Sequence, residues 1–145
     1  MTKIAIEDLR VKIVGHLTKN LSEEQANIVA NHLLWAEMSG ITTMGIIKMT
    51  GTEPIQDIVP RYDIRVERDT KLSQLIDAGA NPAPLVTQIA TKVAIEKATE
   101  NGFGLVGIRN TFSSNCAQAY YAEMIANAGL IGIVLSRSPA AVTGF

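Results

Sequence analysis

Three glycines, Gly102, Gly104 and Gly107, have the spacing of the GxGxxG pattern that binds dinucleotide phosphates. That pattern works where the glycines follow a strand and open a helix whose N-terminus faces the pyrophosphate. Here the apolar spacing from Leu85 onward predicts a helix that ends at Gly102, and a strand over 103–109 follows. Because this order is reversed, we assign the glycines to chain reversal and close packing and predict no Rossmann site.

The other residues whose side chains could take part in chemistry are two histidines, His16 and His32, and a single cysteine, Cys116. Each histidine has apolar neighbours in an amphipathic helix, which favours a surface or core-edge position over catalysis. Cys116 lies near a helix start, where the helix dipole can lower the pKa of a thiol, but no nearby base would activate it. Two histidines and one cysteine without an acidic cluster predict no metal site.

Amphipathic helices dominate the first part of the chain. Apolar residues at helical spacing predict three helices, over 6–19, 23–39 and 44–49. Ser22 and Gln25 have the spacing of a capping box at the start of the second helix. Thr42 or Thr43 is the expected N-cap of the short third helix.

The pattern changes to sheet after residue 60. Runs over 64–68 and 72–76 predict a hairpin, and the chain then alternates between helix and strand. The predicted order is a helix over 85–101, a buried strand over 103–109, a helix over 116–128 and an apolar strand over 130–135. This order favours two neighbouring parallel strands joined by a helical crossover. We therefore predict an α/β fold, with a helical segment over 1–60 and part of an α/β domain over 61–145.

Composition excludes several classes of function. The 145 residues are 47% apolar, enough for a sizeable core, and the net charge of −1 leaves no basic surplus for nucleic acid or an anionic membrane. No run approaches the roughly 20 apolar residues that span a bilayer. The single cysteine and the absence of a signal-like N-terminus predict a reducing, cytoplasmic location.

The run over 35–48 resembles the segment of the malate/L-lactate dehydrogenase family that carries a Ser-His-Gly-x-x-Arg motif, with Gly40 and Gly45 in agreement. The stretches 102–110 and 117–139 are similar to nucleotide-domain segments of the same family. Family members are considerably longer chains. The resemblance implies the N-terminal portion of a non-Rossmann, NAD- or NADP-dependent oxidoreductase of 2-hydroxy and 2-keto acids, with a mixed sheet and a partial cofactor-binding domain over 61–145.

Two residues depart from the family motif. The family's histidine falls on Met44, and its arginine falls on Lys48. A thioether cannot take the proton released when a hydroxy acid is oxidised, whereas an imidazole can. On one face of the predicted short helix, Lys48 would still attract a substrate carboxylate as a point charge, without arginine's bidentate fork.

A third departure lies in the loop where family members place a second histidine. Ser113, Ser114 and Asn115 stand there, and the loop is one residue longer, so either serine could be the equivalent. A serine can orient water or substrate, and free amides at the next helix start offer a modest anion site, but capping of that helix explains the serines equally well. Asn115 and Ser138 are the residues that the resemblance assigns to the cofactor, although a plain turn also accounts for Ser138.

The expected partners follow from the same comparison. The substrate would be a small 2-hydroxy or 2-keto acid, whose identity and whose preference for NAD or NADP the sequence does not specify. A non-catalytic relative, or one chain of a split enzyme, remains the alternative. The apolar strand over 130–135 would present an open edge, so we expect a homodimer or a partner chain that completes the domain.

Overall fold

The computed structural model describes residues 4–51 and 54–137. Helices and strands in this part of the chain are α1 (Ile6–Leu17), α2 (Glu23–Met38), β1 (Arg65–Asp69), β2 (Ser73–Asp77), α3 (Ala83–Asn101), β3 (Leu105–Arg109) and α4 (Gln118–Asn127). Short 3₁₀ turns occupy Thr42–Met44, Ile46–Met49 and Ile55–Asp57. None of the described helices is long and apolar enough to cross a membrane.

The two N-terminal helices confirm the sequence prediction, including the cap between them. The Ser22 hydroxyl accepts from the Gln25 amide at 3.2 Å, and the Gln25 side chain accepts from the Ser22 amide at 3.1 Å. This capping box satisfies two of the amides that a helix start leaves free. Helix α2 buries Val29 and Leu33 completely, so it forms the centre of the helical core.

The predicted third helix over 44–49 is wrong. The chain forms two 3₁₀ turns instead, because Gly45 between them adopts φ −95° and ψ −137°, which breaks the helical path. Neither Thr42 nor Thr43 caps a helix, since the residue before the first turn is Ile41 and no side chain bonds there. Met44 and Lys48 therefore do not lie on one face of a helix, as their spacing of four residues had predicted.

The sheet is mixed and has the order β1-β2-β3. Strands β1 and β2 form the predicted antiparallel hairpin, while β2 and β3 run parallel and are joined through α3. Helix α3 covers one face of the sheet, where Ile76 and Val86 are buried with Ala78 and Ala90. This arrangement confirms the α/β class and the absence of a Rossmann topology.

Two strand predictions in the second half need correction. The apolar run over 130–135 forms no strand in the described structure, and the side chains of Ile131 and Leu135 are 101% and 86% exposed. The parallel neighbours are β2 and β3, so the crossover helix is α3. Strand β3 is shorter than predicted and only half-buried, with Leu105 59% exposed. An apolar run is buried only where another element packs on it, and the described sheet ends at β3.

Gly102 and Gly104 have the two roles predicted for them, which are chain reversal and close packing. Gly102 ends α3 in the left-handed conformation, at φ 78°, and its amide donates to the Ala98 carbonyl. Gly104 lies directly against the backbone of α3, where a Cβ would overlap the Ala94 carbonyl oxygen. The absence of a side chain at Gly104 therefore allows β3 to approach α3.

Replacing Gly104 with alanine is expected to lower the free energy of unfolding by about 1–3 kcal/mol, because the new methyl would meet rigid backbone. The matched control is Gly15→Ala in α1, where a Cβ meets nothing within 4 Å and helix propensity favours alanine by about 0.5–1 kcal/mol. Urea unfolding of both variants measures the two effects. A Gly104→Ala protein as stable as the unmodified chain would contradict this packing.

Candidate functional site

The segment over 42–49, here called the lysine turn, contains the two 3₁₀ turns that carry Met44 and Lys48, and Glu37 of α2 binds it. The Glu37 carboxylate accepts a hydrogen bond from the Ile46 amide at 3.1 Å. The same side chain fills the space beside Gly45, where any Cβ would overlap it. Met44 packs against the helical core, and Lys48 is half-buried. Glu37 thus determines where the ammonium group of Lys48 leaves the turn.

The serine loop over 113–116 has an unusual backbone. Ser113 and Cys116 both have positive φ, at 71° and 58°. The Ser113 hydroxyl donates to the Ser114 carbonyl at 3.2 Å, and the Ser114 hydroxyl accepts from the Cys116 amide at 3.1 Å. The carbonyl of Asn115 accepts from the Tyr121 hydroxyl at 2.8 Å. The serines therefore shape the loop, and neither caps α4, whose start carries no side-chain cap.

The lysine turn and the serine loop come together at the apolar cluster that contains Met49 and Cys116. The thiol is buried, which raises its pKa to about 11, and the nearby charge of Lys48 partly opposes that shift. For the Cys116 thiol, desolvation thus outweighs any lowering of the pKa by the helix dipole. Cys116 also belongs to the apolar cluster that Met44 packs against. Two segments nearly 70 residues apart thus come together here.

His32 lies beneath the end of this loop. Its Nε2 accepts a hydrogen bond from the Ala117 amide at 3.0 Å. The imidazole is fully buried, edge-on to Tyr120 at 4.7 Å between ring centroids and tilted against Tyr121 at 5.1 Å. Burial lowers the pKa of His32 to about 4, so the ring is neutral near pH 7.

A surface or core-edge position for His32 was therefore the wrong expectation. The helical spacing could have indicated that His32 is buried. It comes three residues after Val29 and four before Ala36, both completely buried, so it lies on the same face of α2. No pattern in the sequence indicates which residue it bonds.

The amides that lead into α4 are already bound within the protein. Ser114 binds the Cys116 amide and His32 binds the Ala117 amide. These two amides therefore do not form the anion site that the sequence suggested.

Trp35 links α2 to α4. Its indole N–H donates to the Glu123 carboxylate at 3.0 Å, and its ring meets Tyr120 edge-on with 5.4 Å between centroids. The bond joins residues 88 positions apart in the chain. This bond therefore attaches α4, which follows the serine loop, to α2, whose Glu37 binds the lysine turn.

A carboxylate that sequence reasoning missed organises the other end of the loop. Asp77, at the carboxyl end of β2, accepts from the Gly79 amide at 3.0 Å, the Tyr62 hydroxyl at 3.1 Å and the Asn110 side-chain amide at 3.1 Å. The Gly79 hydrogen bond is the main reason that the pKa of Asp77 lies below its usual value. The Arg109 guanidinium adds a longer contact at 3.5 Å. Asp77 thus binds the residues with which the chain leaves β3.

A groove of about 260 Å³ opens beside Asp77, at the carboxyl ends of β2 and β3. Its lining consists of Arg61, Tyr62, Ala80, Asn110, Thr111 and Phe112. None of the residues proposed for the site from the sequence lines this groove.

Of the two residues assigned to a cofactor, the structure describes only Asn115. Asn115 accepts a hydrogen bond from Ser136 through its side-chain oxygen at 3.4 Å, and Ser138 lies outside the described residues. Among residues 4–51 and 54–137, no glycine turn leads from a strand into a helix N-terminus as a pyrophosphate cradle requires. This part of the chain therefore offers no Rossmann-type cradle for a dinucleotide.

The mixed sheet agrees with the comparison to known families. A family model described as malate/L-lactate dehydrogenase matches residues 4–145. The chain therefore belongs to the malate/L-lactate dehydrogenase family.

Individual relatives span the same region. The chain is 33% identical over 144 residues to the malate dehydrogenase of Pyrococcus abyssi, covering 94% of this chain and 38% of the relative. It is 31% identical to the L-sulfolactate dehydrogenase of Methanothermobacter thermautotrophicus, covering 91% and 40%. A ureidoglycolate dehydrogenase (NAD(+)) of Escherichia coli is 28% identical, with 99% and 42% covered. The chain thus spans about two fifths of each relative.

The fold matches a solved structure of the same kind. Malate dehydrogenase from Pyrococcus horikoshii superposes with a TM-score of 0.77 at 30% identity, covering 88% of this chain and 38% of that structure.

Lowering the pH from 7 to 4 is expected to reduce the free energy of unfolding by about 3 kcal/mol through His32 alone. The folded pKa of about 4 lies below the unfolded value of 6.5, so the unfolded chain takes up the proton first. This contribution is therefore complete above pH 6.5 and is lost as the pH falls toward 4. Urea unfolding at several pH values measures it.

The matched variants are His32→Gln, which should lack this component, and His16→Gln at the exposed histidine, which should keep it. An unchanged pH dependence in His32→Gln would contradict the burial of a neutral imidazole.

Proposed function

We propose that this chain forms the N-terminal portion of an NAD- or NADP-dependent oxidoreductase that interconverts a small 2-hydroxy acid and its 2-keto acid. The observation that carries the proposal is that the lysine turn and the serine loop border one apolar cluster, which contains Met49 and Cys116. Relatives named for malate, sulfolactate and ureidoglycolate support the substrate class, since each name denotes a 2-hydroxy acid. A cytoplasmic location goes with this proposal.

In the proposed reaction, Lys48 attracts the substrate carboxylate as a point charge. The Ser114 hydroxyl oxygen accepts from the Cys116 amide, so its own hydrogen remains free to donate to a substrate oxygen. The Ser113 hydroxyl hydrogen is donated to a carbonyl, so its lone pairs remain free to accept from a substrate hydroxyl. These groups bind and orient the substrate, whereas neither hydroxyl titrates near neutral pH.

The proposed cofactor contacts on this chain are Asn115 and Ser138. A bound nicotinamide would supply the hydride acceptor or donor. The name of the Escherichia coli relative supports NAD(+) as one candidate. Most of the dinucleotide would have to be held by polypeptide beyond this chain, and the region 61–145 is proposed as only part of the cofactor domain.

A non-catalytic family member that binds or assembles is the second candidate. The observation that favours it is the thioether of Met44 in the position that the resemblance gives to the family's histidine. His32 does not replace that imidazole, because its Nε2 is occupied by the Ala117 amide and the ring is buried.

We also propose that residues 130–135 bind a second polypeptide, either a chain that completes the domain or a second copy. Ile131, Ile133 and Leu135 alternate along an extended segment and are 101%, 84% and 86% exposed. On the opposite side, Gly132 lies against the Ile125 side chain of α4. One face of the segment is thus covered while the other presents apolar side chains to water, which is the pattern of a missing partner.

The substitution Lys48→Met is expected to raise the KM for a 2-hydroxy acid roughly ten- to hundredfold, because a charge-assisted hydrogen bond contributes about 1.5–3 kcal/mol. Lys48→Arg keeps the charge and adds a bidentate fork, so its KM should not rise. Steady-state kinetics with malate and a nicotinamide cofactor measure both variants in a turnover-competent preparation. Lys12→Met, on the exposed surface of α1, is the control. Equal KM values for Lys48→Met and Lys12→Met would remove Lys48 from the site.

The exposed apolar side chains over 130–135 predict that the protein either self-associates or binds a second chain that completes the domain. Analytical ultracentrifugation should show a dimer or complex that the double variant Ile131→Lys, Leu135→Lys abolishes, without loss of helical circular dichroism, because both side chains are exposed. Val11→Lys, at a residue of α1 that is 71% exposed, should leave association unchanged. A stable, well-behaved monomer of the unmodified protein would refute the proposal.

A further inference from the structure

The serine loop is attached to the helical core at its C-terminal end by a side chain outside the family motif. The Ala117 amide, the first backbone group after the loop, donates to His32 Nε2 at 3.0 Å. Both partners are buried, with His32 0% and Ala117 4% exposed, so water does not compete for this bond. A buried hydrogen bond of this kind restricts the backbone that carries it.

The same bond determines the tautomer of the imidazole. Because Nε2 accepts, it carries no hydrogen, and in the neutral ring the hydrogen is therefore on Nδ1. Within the described chain Nδ1 is buried and has no hydrogen-bond partner. An unpaired buried donor destabilises the fold. An apolar side chain would avoid that cost, so what the histidine contributes at this position is the acceptor at Nε2.

We propose that His32 is a positioning residue for the proposed substrate site: by accepting from the Ala117 amide, it holds the loop of Ser113 and Ser114 in place relative to Lys48. Helix α2 supplies both anchors, since Glu37 binds the lysine turn and His32 binds the loop. The two anchoring residues are five positions apart on one helix. Helix α2 therefore restrains both the segment that carries Lys48 and the end of the loop that carries the serine hydroxyls.

The role of His32 is indirect. The ring is fully buried and its acceptor nitrogen is occupied, so it cannot touch a substrate. Burial also keeps it neutral near pH 7, which preserves Nε2 as an acceptor, because a protonated ring would only donate. Tyr121 supports the same loop at the Asn115 carbonyl, so His32 and Tyr121 together restrain two successive points of the backbone.

The inference rests on the proposed function, and its test separates the two. His32→Leu removes the acceptor with little change in size, whereas His32→Gln replaces it with a carbonyl oxygen. Val29→Ala, one turn earlier in α2 and completely buried, lowers stability without touching the loop. Each variant is compared by nuclear magnetic resonance of the Ala117 amide and by kinetics in a turnover-competent preparation.

In His32→Leu, the Ala117 amide signal should shift and its hydrogen exchange should accelerate at least tenfold more than that of core amides in α2. The value of kcat should fall at least tenfold while the KM for the hydroxy acid changes less, because the charge of Lys48 is retained. His32→Gln should restore most of both properties. Val29→Ala should change neither the amide signal nor the ratio of the two kinetic effects.

An Ala117 amide that behaves alike in His32→Leu and Val29→Ala would overturn the inference, as would equal losses of kcat in His32→Leu and His32→Gln. If the unmodified protein shows no turnover in any form, the proposed function fails. The amide measurements then still decide whether His32 anchors the loop.

Discussion

Helix α2 is the element on which the rest of the arrangement depends. Its apolar stripe is buried in the core, and its polar side chains bind the lysine turn, the end of the serine loop and α4. The three bonds join Glu37 to Ile46, His32 to Ala117 and Trp35 to Glu123. Because a helix is rigid over this length, these bonds convert separate loops into one surface with a defined spacing. Stability and site geometry are therefore coupled through the same helix.

The chain that leads into the serine loop from β3 is held at the sheet by hydrogen bonds to the Asp77 carboxylate. Asp77 draws together the backbone of Gly79 and the side chains of Tyr62 and Asn110. The parallel pairing of β2 and β3 brings the ends of these strands side by side, so one carboxylate can bind both departing segments. The loop is thus attached at its start to the sheet and at its end to α2.

On one side of the described structure, an edge strand and an apolar segment are not covered by other elements. Strand β3 is the last strand of the described sheet, and the extended segment over 130–135 exposes alternating apolar side chains. The relatives are more than twice as long as this chain. An apolar face on which none of the described residues packs is consistent with a fold that further polypeptide completes.

Local patterns by themselves determined the helices α1 and α2, the capping box at Ser22, the hairpin and the helix end at Gly102, because these depend on neighbours in sequence. They failed over 44–49 and 130–135, where a short glycine-interrupted run and an unpaired apolar run contain no local information about their partners. The resemblance directed attention to Lys48 and the serines. Only the tertiary structure decided that His32 binds the Ala117 amide, since a hydrogen bond between residues 85 positions apart follows from packing and leaves no periodic trace in the sequence.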